Sequence, residues 1–229
     1  MSIWTLLKVW FFYFFPFWAW CPEIGEPEDA DCILVRAFGR NQIDDDELGT
    51  KILRIRSMSD GDNKRAFDRL RRGGFLSGAF NDEVALQLFL YVLDTSHVLI
   101  LQWEVAFSMF NLSEEWYRDN EHRIVVLWPP KSGYFSTYEV KKASVEEMRK
   151  RGLSCPLEVA HPAMIVRAVM IIWRLGANPI VSPSKQLWVW DGGSVQPWTR
   201  GFGLWLIREV LGRVHHIVFR LVAFRPPKG

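Results

Sequence analysis

A carboxylate, an imidazole and a guanidinium stand within one stretch of the second half of this chain, as Glu139, His161 and Arg167. An imidazole titrates near neutrality and can move protons, a carboxylate can act as a base or hold an amine, and a guanidinium fork matches phosphate or carboxylate. Each also has a structural reading. Ser136-Thr137-Tyr138-Glu139 fits a capping box, in which Ser136 and Glu139 satisfy exposed NH groups at a helix start, and this is the main role expected of Glu139. A histidine beside a strand end is at least as often hydrogen-bonded as reactive, and Arg167 could salt-bridge Glu139 or Glu158.

Further polar candidates are Gly39, Arg40 and Asn41, able to hold an anion, together with Gln102, Glu104 and Thr137. No GxGxxG, Walker A, G-x-S-x-G or HExxH motif accompanies them, which disfavours a dinucleotide fold and names no catalytic residue. Cys21, Cys32 and Cys155 lie far apart with no zinc-type spacing, and the Asp44 to Glu47 cluster reads as a solvated acidic helix start, so no metal site is expected. Trp188, Trp190 and Trp198 read as a packed lid that could also stack on a flat ligand, and His215-His216 fall in an apolar terminal helix.

The elements that would position these groups alternate. Cys32 to Phe38 reads as a buried strand stopping at Gly39, and a weakly patterned stretch from Gln42 to Phe80 as short helices and loops. Asn81 is expected to cap a helix through Leu93, followed by a strand from His97 to Trp103, a short helix from Glu104 to Phe110 and a strand from His122 to Trp128. Ser136 then opens a helix to Arg151, Pro156 to Ala160 is a strand, Ala163 to Leu175 a helix closed by Gly176, and Ile180-Val181 start the next strand. A helix from about Phe202 to Ala223 ends the pattern. Strands apolar on both faces, alternating with helices, predict a Rossmann-like three-layer α/β/α fold with a mostly parallel sheet of about five strands. Ligands of such sheets bind where the strands end, so the candidates above converge on one crevice.

Composition adds bounds. The 229 residues suffice for one domain over 32–229, and 28 basic against 26 acidic side chains leave a net charge of +2, which does not favour nucleic acid. Residues 1–22 hold a nearly uncharged, Trp- and Phe-rich run that suggests membrane contact, spanning or interfacial, with packing on the domain of a soluble cytoplasmic protein as the alternative; 23–31 reads as a linker. Protein partners are not readable.

The order of motifs resembles the YdcF-like family of uncharacterised α/β proteins, which includes SanA and ElyC. The resemblance rests on Val35 to Asn41, Ser136 to Glu139, Met164-Ile165-Val166-Arg167-Ala168 with Gly176, and Arg208-Glu209 with His215-His216. Met164 stands where that family carries a histidine, and Gln102-Trp103-Glu104 replaces a Ser-Gly-Gly turn. The resemblance implies a nucleotide-like anionic ligand such as S-adenosylmethionine, N-terminal membrane anchoring and a link to envelope biogenesis. Two functions follow as expectations: a domain binding an anionic small molecule at the strand ends, or a membrane-anchored interaction protein without catalysis.

Overall fold

In the computed structural model, residues 23–38, 54–57, 59, 62–93, 95–129, 135–182, 189–190, 194 and 196–219 are described. Their strands are β1 (Glu23–Ile24), β2 (Cys32–Val35), β3 (Val98–Gln102), β4 (Ile124–Leu127), β5 (Pro156–Val159) and β6 (Ile180–Val181). The helices are α1 (Asn63–Arg72), α2 (Ala79–Val92), α3 (Trp103–Leu112), α4 (Glu114–Asp119), α5 (Thr137–Lys150), α6 (Pro162–Arg174) and α7 (Phe202–Val218).

All strand pairs are parallel, in the order β1-β6-β5-β2-β3-β4. Every residue of β2 is buried because helices cover both faces of the sheet. Ile33 and Val35 point into the larger core with α1, α2 and α3, through Phe67, Phe80, Val84 and Phe107. Cys32 and Leu34 point the other way, onto Val140, Val145 and Met148 of α5 and Ile172 of α6. The expected three-layer Rossmann-like architecture is therefore present.

Chain order explains the layering. From β2 the chain steps outward to β3 and β4, then returns past β2 to β5 and moves on to β6 in the opposite direction. Right-handed crossovers place helices on one face for one direction of travel and on the other face for the reverse. The reversal lies between β2 and β5, whose register pairs Cys32 with Pro156 and Val35 with Val159. Crossovers depart in opposite directions there, which opens a crevice at the carboxyl ends of these two strands.

The segment read as a linker also carries β1, a two-residue edge strand paired with β6, beside the expected mostly parallel sheet of about five strands. Two expectations are corrected. The first strand stops at Val35 rather than Phe38: Arg36 N makes a last backbone bond to Val159 O, and the NH groups after it turn to side chains, Ala37 N donating to Gln102 Oε1 at 3.2 Å and Phe38 N to Asn81 Oδ1 at 3.0 Å. Asn81 is thereby not a helix cap. α2 begins earlier, after Gly78, whose φ of 100° is a conformation that L side chains rarely adopt. Elsewhere the expected punctuation holds, with Gly152 and Gly176 at positive φ after α5 and α6.

Residues 1–22, Gly39, Arg40, Asn41, the Asp44 to Glu47 cluster and Trp188 lie outside the described residues. No helix among the described residues is long and apolar enough to cross a membrane.

Candidate functional site

The crevice at the crossover is closed from above by α7 and by the short 3-10 turn Pro197–Thr199 that precedes it. What remains between them and the strand ends is a polar cavity of about 40 Å³. Its wall carries Arg36 beyond β2, Gln102 and Glu104 at the start of α3, Arg167 on α6, and Arg208 and Glu209 on α7.

Each side chain is held by its element. Gln102 ends β3, and its acceptance of the Ala37 NH ties two strand ends together. Glu104 is buried in the first turn of α3, where exposed backbone NH groups favour a carboxylate. Arg36 reaches the thioether of Met164 at 3.7 Å, a weak acceptor. Arg167 Nη2 pairs with Glu209 Oε2 at 3.0 Å, with side chains 6% and 3% exposed. Arg167 Nε, also buried, has no hydrogen-bond partner among the described residues. Arg208 lays its guanidinium 4.1 Å from the ring centre of Trp198.

The approach of α7 to Arg167 depends on Gly212. A Cβ built on that residue would meet Arg167 Nη1 at 2.6 Å, so a side chain there would displace the guanidinium or the helix.

The candidates read from the sequence separate into three groups. Gln102, Glu104 and Arg167 meet at the cavity. Thr137 lines a neighbouring groove, in whose wall Arg167 also stands. Glu139 and His161 belong to neither wall. Glu139 closes the capping box of α5: its NH donates to Ser136 Oγ at 3.2 Å, and its Oε2 accepts from Ser136 N at 2.9 Å.

His161 sits in an aromatic cage. Its ring stacks on Phe38 at 4.0 Å between centres, with Phe80 at 5.5 Å and Trp190 at 4.6 Å. Burial there pushes its pKa down to about 3, so the ring is neutral at physiological pH. Trp190 in turn tilts against Trp205 of α7, which makes that tryptophan part of the packing under the cover.

Sequence reasoning missed the charges that pair. Lys141 Nζ lies 2.5 Å from Glu158 Oε1, with both side chains essentially inaccessible at 1% and 0%. Burial drives the lysine pKa down and the glutamate pKa up, while their mutual attraction opposes both shifts. The signal was available: Glu158 interrupts an otherwise apolar strand, and Lys141 falls among Val140, Ser144, Val145 and Met148 on the buried side of α5. Arg36, four residues into an apolar run, carried a similar signal. The partner of Arg167, Glu209, lies 42 positions away on the last helix, where no local spacing points to it.

Chemically, the groups facing the cavity are guanidinium, carboxylate and amide. They can hold charge and orient oxygen atoms, whereas the neutral His161 is not among them. Among the described residues there is no group of three or more His, Cys, Asp or Glu side chains placed to hold a metal ion.

No protein-family model, curated protein or solved structure matches the chain. The functional reading therefore follows from the crevice itself.

Proposed function

We propose that the protein binds a small oxyanion, a phosphate or carboxylate group, in the cavity at the crossover between β2 and β5. Arg36, Arg167 and Arg208 form its cationic wall against the two carboxylates of Glu104 and Glu209. The observation that carries this reading is Arg167: a buried guanidinium whose Nε faces no acceptor among the described residues, at a place where parallel sheets receive ligands. An oxyanion would supply the acceptor, and a bidentate contact would use the fork geometry.

Size narrows the ligand. A single water needs roughly 10–15 Å³ of such space, so a cavity of about 40 Å³ suits one charged group of a few atoms. A nucleotide or S-adenosylmethionine would place only its phosphate or carboxylate here, with base and ribose outside. The cavity wall supplies recognition and orientation, which makes binding the function it supports.

The test is calorimetric titration of the full chain with inorganic phosphate and with acetate at constant ionic strength, in wild type and in Arg208→Gln. Arg208 is half-exposed and can be replaced without leaving a buried charge. Saturable heat in the wild type, weakened at least about tenfold in the variant, is expected for loss of one charge-assisted contact. Equal titrations in both proteins, or none in either, would overturn the proposal.

A further inference from the structure

Beside the polar cavity runs an open groove of about 500 Å³, within the range of small-molecule sites. The two spaces share Arg167, Trp198 and Arg208 in their walls, so the guanidinium groups form a partition between them. On the far side of that partition the lining becomes aliphatic, through Leu204, Ile207 and Leu211 of α7.

The orientation of α7 is what creates this contrast. Trp205 and Glu209 are buried against the body, whereas Leu204, Ile207 and Leu211 are 53%, 65% and 66% exposed. Their spacing of three and four residues puts them on one stripe of the helix, the stripe that ordinarily faces a core. Here the helix turns Glu209 inward and its aliphatic stripe outward. Gly212 allows this arrangement, since the absence of its side chain lets Arg167 lie against the helix and reach both spaces.

We infer that the ligand is an anionic amphiphile, a phosphate or carboxylate carrying an aliphatic chain, with its head group in the arginine cavity and its chain along Leu204, Ile207 and Leu211. This rests on the reading of the cavity as an oxyanion site and adds the class of molecule that bears the anion. A purely polar metabolite would leave the aliphatic wall in water, and a neutral apolar molecule would offer no acceptor to Arg167 Nε. Only a molecule with both parts matches both walls. Because Arg167 and Arg208 stand in both walls, a head group held by them lies next to the aliphatic groove, so one molecule can carry both parts.

Calorimetry on the full chain decides the matter with inorganic phosphate, ethyl phosphate, octyl phosphate below its micellar concentration, and octyl glucoside. Each methylene placed on the groove is expected to tighten binding by up to about fourfold. Octyl phosphate should therefore bind at least about tenfold more tightly than inorganic phosphate. Ile207→Gln and Leu211→Gln change exposed side chains and should fold normally. In both, the chain-dependent gain should shrink severalfold while the affinity for inorganic phosphate is kept. Octyl phosphate binding no tighter than inorganic phosphate would overturn the amphiphile while leaving the oxyanion site standing; no binding of either would remove both. A gain that survives both glutamine variants, or octyl glucoside binding as tightly as octyl phosphate, would place the chain elsewhere and likewise overturn it. A dimer in sedimentation that octyl phosphate does not dissociate would assign the groove to a second copy instead.

Discussion

His161 is surrounded by Phe38, Phe80 and Trp190, and this cage decides how the residue behaves more than its position after β5 does. Its charged form is penalised by burial, with the pKa brought down to about 3. Because the folded-state value lies below the unfolded one, the unfolded chain takes up the proton first. The associated stability is complete above about pH 6.5 and is lost as pH falls from there toward 3, by on the order of 1 kcal/mol for each pH unit. Urea unfolding between pH 7 and 4.5 should show this slope in the wild type and a shallower one in His161→Phe, which keeps a ring against Phe38. Identical slopes would mean that His161 does not experience the cage as drawn. At this scale the residue types were legible but their partners were not. Arg167 could be picked out as a crevice arginine from its place after a strand, yet its pairing with Glu209 depends on where the last helix lands. For the buried pair of Lys141 and Glu158 the burial of each was legible from its apolar neighbours, but not that the two would meet.

Among the elements, α5 shows how far local chemistry determines structure. Ser136 and Glu139 exchange hydrogen bonds across the first turn, as the spacing of a hydroxyl and a carboxylate three residues apart predicts. Since Glu139 is engaged there and lies off the cavity wall, its role can be separated from binding. Ser136→Ala should cost about 1 kcal/mol in thermal or urea unfolding, and Glu139→Ala a comparable or smaller amount. Glu139→Gln, which can still accept from Ser136 N, should recover most of the loss, and all three should bind inorganic phosphate as the wild type does. A Glu139→Gln protein that is stable but no longer binds would return this carboxylate to the site. The caps, the glycine stops and the buried strands were legible because each is specified by a few consecutive residues. β1 was not, because two residues on a sheet edge carry no periodicity, and Asn81 misled because a capping residue type was serving the backbone of Phe38 instead.

For the whole molecule, alternation of strands and helices sufficed to predict a parallel three-layer sheet, but not the order of strands or the way α7 lies. Both are set by long-range packing: the first by the handedness of crossovers, the second by Trp205, Glu209 and Gly212 meeting groups from distant elements. This difference has a dynamic consequence. β2, β3 and β5 are at the centre of the sheet with helices on both faces, and their opening requires most of the core to separate. α7 is 17 residues long, and an isolated helix of that length is marginal in water. Among its described side chains, Trp205 and Glu209 hold it to the body, and the exposed stripe of Leu204, Ile207 and Leu211 gains burial only when something covers it. Its amides should accordingly exchange with deuterium at least about a hundredfold faster than those of β2 and β5, in a local opening well below the global stability. Occupation of the cavity and groove should slow exchange in α7 by mass action on the closed state, with little change in the central strands. Protection of α7 equal to that of β2 in the ligand-free protein would show the helix to be an integral wall of the fold, and access to the cavity would then have to come from another side.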